Sequence, residues 1–230
     1  MSIHAALIDL DGTLLDTVPD ITHAINAMLA DLDERPLTEA LISTFIGKGT
    51  ENLVKRVLNH MQPDTEPSAT ELSHALDLFH RHYQIINGNH STTYPGVKEG
   101  LEAFKSAGIK LAVVTNKPAQ FTLPLLQRTG LDHYFDHVVS GDTCARKKPD
   151  PMPFIYGCEL LKVPPQQALA IGDSINDALS ARAAGLHVVA VPYGYNEGQS
   201  VDTLDVDGVV DTLHDAFTWI QHHQSQDSLK

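Results

Sequence analysis

The stretch Ala6-Leu7-Ile8-Asp9-Leu10-Asp11-Gly12-Thr13-Leu14-Leu15-Asp16 decides how the rest of the chain is read. Its short apolar run has the character of a buried strand and ends in two aspartates that flank one residue. Alternate side chains of an extended chain point the same way, so Asp9 and Asp11 are expected side by side where the strand gives out. Gly12 then turns the backbone without a Cβ penalty. Two like charges 4 Å apart cost roughly 4 kcal/mol at an effective dielectric near 20. A shared cation between the two, or a proton on one of them, is therefore expected.

Around this stretch lie 230 residues, enough for a proper core plus a smaller second unit. With 42% hydrophobic and 20% charged residues the chain has the composition of a folded protein. The formal net charge of -13 argues against nucleic acid or an anionic membrane as partner, since both demand basic patches. A small anionic substrate remains possible if a few local cations overcome the field. Cys144 and Cys158 are too far apart for a C-x-x-C pair and read as free thiols of a reducing compartment. With neither a basic-then-apolar leader nor a run of about 20 apolar residues, the expectation is a cytoplasmic protein, monomer or homodimer.

Downstream, helical patterning dominates to about Asn87. Pro19 can open a helix that buries Ile21, Ile25, Met28, Leu29 and Leu32; further helices are expected over 37–45, 50–61 and 68–86. No strand is expected between Asp16 and Asn87. From Tyr94-Pro95-Gly96 onward, helices and short apolar strands alternate: strands at 109–115, 137–140, 168–173, 187–191 and 209–210, with helices between them and a last one near 213–220. Pro124 is expected to kink the helix over 117–129. Such alternation implies parallel strands joined by right-handed crossovers. The opening strand most simply joins that sheet, so the fold class is α/β: a Rossmann-like parallel sheet, residues 1–15 and 89–222, with an all-helical unit, 16–88, inserted after the first strand. Residues 223–230 read as a polar tail, and the thirteen histidines, His80 and His82 among them, as solvated.

Ligands of open parallel sheets bind beyond the carboxyl ends of the strands. Three strands here deliver reactive groups to that edge: Asp9 and Asp11; Thr115, Asn116 and Lys117; and Asp173, with Asp177 four residues on. The loop Arg146-Lys147-Lys148-Pro149 adds cations. Singly, each is as well explained by helix capping or solvation. Jointly they make a phosphoryl-transfer site. Asp9, Asp11 and Asp173 are hard oxygen donors suited to Mg²⁺, Lys148 is a second cation, and Thr115 with nearby N–H groups can hold phosphoryl oxygens. One aspartate of the opening strand can attack phosphorus while the other works as acid and base.

The motifs Asp9-Leu10-Asp11-Gly12-Thr13, Thr115-Asn116, Lys148-Pro149 and Gly172-Asp173-Ser174-Ile175-Asn176-Asp177 resemble, in this order, the four signatures of the haloacid dehalogenase superfamily. The resemblance implies Asp9 as nucleophile, Asp11 as general acid and base, Thr115 as phosphoryl binder and Lys148 as stabilising cation. It implies Mg²⁺ held by Asp9, the main-chain carbonyl of Asp11 and Asp173, with Asp177 behind them. The helical insertion is similar to that superfamily's helical cap, which closes over the site and selects substrate. Within it, Gly47-Lys48-Gly49 suggests Lys48, and less directly Arg56, over the non-phosphoryl end of an anionic substrate, with Asn116 as a further substrate-binding residue.

Residues 3–196 are similar to the phosphoglycolate phosphatase branch, through Asp16-Thr17-Val18-Pro19-Asp20, the Gly47-Lys48-Gly49 loop, Tyr94-Pro95-Gly96-Val97 and Tyr193-Gly194-Tyr195. The reaction implied is Mg²⁺-dependent hydrolysis of a small phosphorylated metabolite, 2-phosphoglycolate first, by way of an aspartyl-phosphate. A sugar-phosphate phosphatase or a phosphomutase similar to β-phosphoglucomutase would use the same site. A non-catalytic binding protein on this fold is the alternative of another class, and the intact Asp9, Asp11 and Lys148 speak against it.

Overall fold

The computed structural model describes residues 2–227. Its centre is β1 (Ala5–Ile8), buried on both sides as a central parallel strand must be. Strands β4 (Lys110–Val114) and β6 (Ala168–Gly172) flank it, each parallel to it and in register. Beyond β4 lies β5 (His137–Val139), and beyond β6 lie β7 (His187–Ala190) and β8 (Gly208–Val209), giving the order β5-β4-β1-β6-β7-β8. All pairs are parallel, and the opening strand does join the sheet that the later strands build.

Residue parity sorts the two faces. Ala6 and Ile8 share a cluster with Leu111, Val113, Leu169 and Ile171, which α5 (Val97–Ser106), α6 (Ala119–Thr129) and α9 (Leu213–Asp227) cover with Leu101, Phe104, Leu125 and Leu213. Ala5 and Leu7 face the other way with Ala112, Val114, Ala168 and Ala170, beneath Phe154, Cys158 and Leu161 of α7 (Met152–Leu161) and Ala181 of α8 (Ile175–Ala184). Gly157 is required here, since a Cβ would come within 2.6 Å of the Leu7 side chain. Helix α6 is one continuous element across Pro124. The last helix runs to Asp227, well past the expected end near Ile220, so the polar segment at 223–227 is helical rather than a tail; 228–230 lie outside the described residues.

Between β1 and β4 the chain forms α1 (Val18–Asp31), α2 (Glu39–Ser43), α3 (Thr50–Met61) and α4 (Ala69–Ile86). They enclose an apolar cluster of their own, with Ile21, Ile25 and Met28 of α1 against Val54 and Val57 of α3 and Ala75, Phe79 and Tyr83 of α4. Ser68 and Glu71 close a capping box at the start of α4. Two strands that the sequence did not announce, β2 (Leu15–Asp16) and β3 (Thr92–Thr93), pair antiparallel where the chain leaves and re-enters the sheet domain. Beside them the buried Asp20 accepts from the N–H groups of Gly88, His90 and Ser91 and from the Ser91 hydroxyl, fixing both crossings together. Two of the three α4 histidines are not free in solvent: His80 packs on Phe79 and Phe121, and His82 meets Asp31 at 2.7 Å. No helix among the described residues is long and apolar enough to cross a membrane.

Candidate active site

Because β4, β1 and β6 are adjacent, their carboxyl ends bring Thr115, Asp9 and Asp173 together at one rim. The loop after β5 adds Lys148, whose buried ammonium lies 2.8 Å from Asp9 Oδ1 and 2.6 Å from Asp177 Oδ1, and donates to the Val114 carbonyl at 2.7 Å. Burial opposes that charge, but Asp177 and Asp9 more than offset it and hold the Lys148 pKa above the ordinary lysine range. Asp177 also accepts from the Ser174 hydroxyl at 2.6 Å, the capping arrangement at the start of α8. Asp173 accepts from the Thr13 hydroxyl at 3.0 Å and from the Tyr195 N–H at 2.7 Å. Gly12 and Gly194 let the chain close around it: a Cβ on either would stand 2.4 Å or less from an atom of its carboxylate arm.

Carboxylate oxygens of Asp9, Asp173 and Asp177 lie within 4.8 Å of one another, and all three residues are buried. Burial first, then the neighbouring carboxylates, raises Asp9 well above the usual carboxylate range and Asp173 to about 7. Three carboxylates face one ammonium, so the cluster has two negative charges in excess when ionised. A hard divalent cation supplies what is missing, and an all-oxygen donor set fits it. The residues present therefore fit a metal of the Mg²⁺ kind.

Asp11 stands apart from this cluster. Among the described residues each aspartate of the opening strand has its own lysine, Lys148 for Asp9 and Lys117 for Asp11. Asp11 Oδ1 is 2.7 Å from the Lys117 ammonium and accepts from the Thr17 hydroxyl at 2.7 Å. Asp11, Asp9, Thr115, Asn116 and Lys117 floor a small cleft whose other walls are Ile21, Ile46, Gly47, Gly49, Thr50, Leu53, Phe79 and Tyr83 of the helical insertion. Thr115 Oγ1 accepts from the Lys117 N–H at 3.1 Å, which leaves its proton free to donate. Among the described residues no acceptor takes the N–H groups of Leu10, Asp11 or Asn116, so the rim presents several donors for phosphoryl oxygens.

A matching family model, that of the haloacid dehalogenase-like hydrolases, spans residues 6–191. The chain belongs to this family. It is 50% identical over 221 residues to a phosphoglycolate phosphatase of Nitrosospira multiformis, covering 96% of this chain and 97% of the relative, and 48% identical to one of Thiobacillus denitrificans, covering 94% and 95%. Its fold is similar to a crystal structure of a predicted phosphoglycolate phosphatase from Haemophilus somnus, with a TM-score of 0.90 and 36% identity over 95% of this chain and 98% of that one.

Within this hydrolase the three expected substrate contacts all have partners in the protein itself. Lys48 pairs at 2.6 Å and Arg56 at 3.1 Å with Glu197, which follows β7 on the sheet side, and neither lines the cleft. The Asn116 amide donates to the carbonyls of Gly47 and Lys148, while its oxygen accepts from the Lys148 N–H. Its side chain thus ties the Lys148 loop to the Gly47 turn while Asn116 still lines the cleft. Conversely the sequence reading assigns no site role to Lys117, Tyr83, Glu197 or Tyr195, although it places Lys117 at the strand end and Tyr195 within the Tyr193-Gly194-Tyr195 motif. Lys117 carried a usable signal: it shares the parity of Thr115 at the end of β4, so both point to the same side.

Proposed function

We propose that this hydrolase converts 2-phosphoglycolate and water to glycolate and inorganic phosphate. The reading is carried by Asp9, whose carboxylate pairs with Lys148 and clusters with those of Asp173 and Asp177, in the cleft that also holds Asp11. The named activity of relatives near half identity over nearly the whole chain supports the substrate. So does the cleft itself: Ile21, Ile46, Leu53 and Phe79 offer nothing to the hydroxyls of a sugar, and the Asn116 amide is already committed. A small diffusible substrate and two free cysteines suit a cytoplasmic enzyme, monomer or homodimer.

In this mechanism an Asp9 oxygen attacks phosphorus, and the bond to the glycolate oxygen breaks with its electron pair. Asp11 gives that oxygen its proton. Thr115, Lys148 and the N–H groups of Leu10, Asp11 and Asn116 hold the phosphoryl oxygens as charge builds on them. Asp11, now ionised, takes a proton from water, whose oxygen attacks the phosphorus of the aspartyl-phosphate. Phosphate leaves, and the Asp9 carboxylate and the Asp11 acid are restored. Mg²⁺ on Asp9, the Asp11 main-chain carbonyl and Asp173, backed by Asp177, would supply the positive charge that lets a phosphate dianion approach a carboxylate. The helical unit, 16–88, acts as the cap that keeps bulk water from this exchange, between hinges at β2 and β3.

The test is a product assay on 2-phosphoglycolate and a hexose 1-phosphate, with Mg²⁺ or with EDTA. Glycolate and phosphate are expected, from the Mg²⁺ samples alone, with Asp9→Asn inactive. An isomerised sugar phosphate would mean a mutase, and no turnover of either compound would mean a binding protein.

A further inference from the structure

Building on the phosphatase reading above, we infer that Lys117 and Tyr83 are the receptor for the substrate's carboxylate and select phosphorylated carboxylic acids over neutral phosphomonoesters. Lys117 is the cation among the residues lining the cleft; Lys48 and Arg56 are held outside it by Glu197. Its side chain is 5% exposed, with the ammonium 2.7 Å from Asp11 Oδ1 and 4.9 Å from the centre of the Tyr83 ring. One of its three protons serves Asp11, which leaves donors for a second anion.

Tyr83 supplies an independent sign. It is 2% exposed and lines the same cleft, and its hydroxyl stands beside the Lys117 ammonium without a well-aligned hydrogen bond. A buried hydroxyl left unpaired is costly, and a ligand oxygen between it and Lys117 would satisfy it. Next to them α3 opens into the cleft at Gly49 and Thr50 with no side chain capping its N-terminus, which adds free N–H groups and the positive end of a helix dipole.

The geometry of the substrate matches this arrangement. In 2-phosphoglycolate one methylene separates the bridging oxygen from the carboxylate. When Asp11 protonates that oxygen, the carboxylate must fall on whatever lies immediately beyond Asp11, and that is Lys117. The apolar walls from Ile21, Ile46, Leu53 and Phe79 lower the local dielectric and strengthen the pairing. Lys117 is thus a specificity-determining residue in addition to the partner of Asp11.

The experiment compares kcat and KM for 2-phosphoglycolate and for ethyl phosphate, which has the same reacting group without the carboxylate, in wild type, Lys117→Met and Tyr83→Phe. A lysine acting only through Asp11 would lower both substrates alike. A carboxylate receptor lowers the ratio of the two kcat/KM values, by about 30-fold for Lys117→Met and about 5-fold for Tyr83→Phe, mostly through the KM for 2-phosphoglycolate. Tyr83→Phe removes a hydroxyl that has no well-aligned hydrogen bond among the described residues, so it decides the matter even where Lys117→Met fails to fold. A ratio unchanged within about twofold in the folded variants overturns the inference. Wild-type enzyme that cleaves ethyl phosphate as well as 2-phosphoglycolate overturns it too, while the phosphatase reading stands. Wild-type enzyme that cleaves neither ester overturns the phosphatase reading and the inference with it.

Discussion

Removing the metal should make this protein less stable as pH rises, opposite to the usual behaviour of a protein rich in paired carboxylates. Asp173 is held at about 7 in the fold against 3.8 for the free side chain, first by burial and then by Asp177. Between those two values the folded chain keeps a proton that the unfolded chain has released. Unfolding then sheds protons, and stability falls by about 1.4 kcal/mol per pH unit. Over a window of about three units the loss approaches 4 kcal/mol, and the raised Asp9 adds to it in the same direction. Urea unfolding of EDTA-treated protein at pH 5 and pH 8 spans about two units of that window and should show a loss of about 3 kcal/mol from Asp173, most of which excess Mg²⁺ at pH 8 should restore.

Asp173→Asn sharpens the test. An amide oxygen can still accept from the Tyr195 N–H, and its NH₂ can donate to the Thr13 hydroxyl, which rotates to accept. The variant should therefore fold, lose less stability than wild type between pH 5 and pH 8 without metal, since only Asp9 still contributes, and gain little from Mg²⁺. Metal-free wild type that is equally stable at both pH values, or an Asp173→Asn variant that Mg²⁺ stabilises as much as wild type, would refute the reasoning.

Glu197→Gln should loosen the contact between helical insertion and sheet. Two partly exposed ion pairs, to Lys48 and Arg56, sum to about 1–2 kcal/mol, so the KM for substrate should rise roughly 3- to 10-fold, less at high salt; a KM unmoved at low ionic strength counts against the contact. Asp20→Ala strands four donors at the crossing and should cost about 3 kcal/mol by chemical denaturation, against well under 1 kcal/mol for an exposed aspartate such as Asp64. Gly194→Ala puts a methyl 2.2 Å from Asp173 Cβ and should abolish Mg²⁺ stabilisation while leaving the rest of the fold intact, as calorimetry with and without metal would show.

The sheet and the four motif segments were legible because both are local patterns: apolar runs that stop at Asp9, Thr115 and Asp173, and loops of fixed composition behind them. Strand adjacency then does the rest, since three neighbouring strands must bring their ends together. What escaped the sequence is pairing between distant side chains. A glycine-flanked lysine such as Lys48 looks free until Glu197, 149 positions away, is seen to hold it. Asn116 looks like a substrate contact until its amide is found on the Lys148 loop. The pattern places Lys117 at the start of a helix over 117–129, but α6 starts at Ala119, and Lys117 continues the alternation of β4 into the cleft. Two-residue strands such as β2 and β3 are too short for any periodicity to register.

Covalent capture of the phosphoryl group tests the central claim most directly. Protein mixed with 2-phosphoglycolate and Mg²⁺, quenched in acid within the first turnover and digested, should carry one phosphoryl group on the peptide that contains Asp9, and none in Asp9→Asn. Turnover that proceeds with no label on that peptide, or with label on a different residue, would contradict the account.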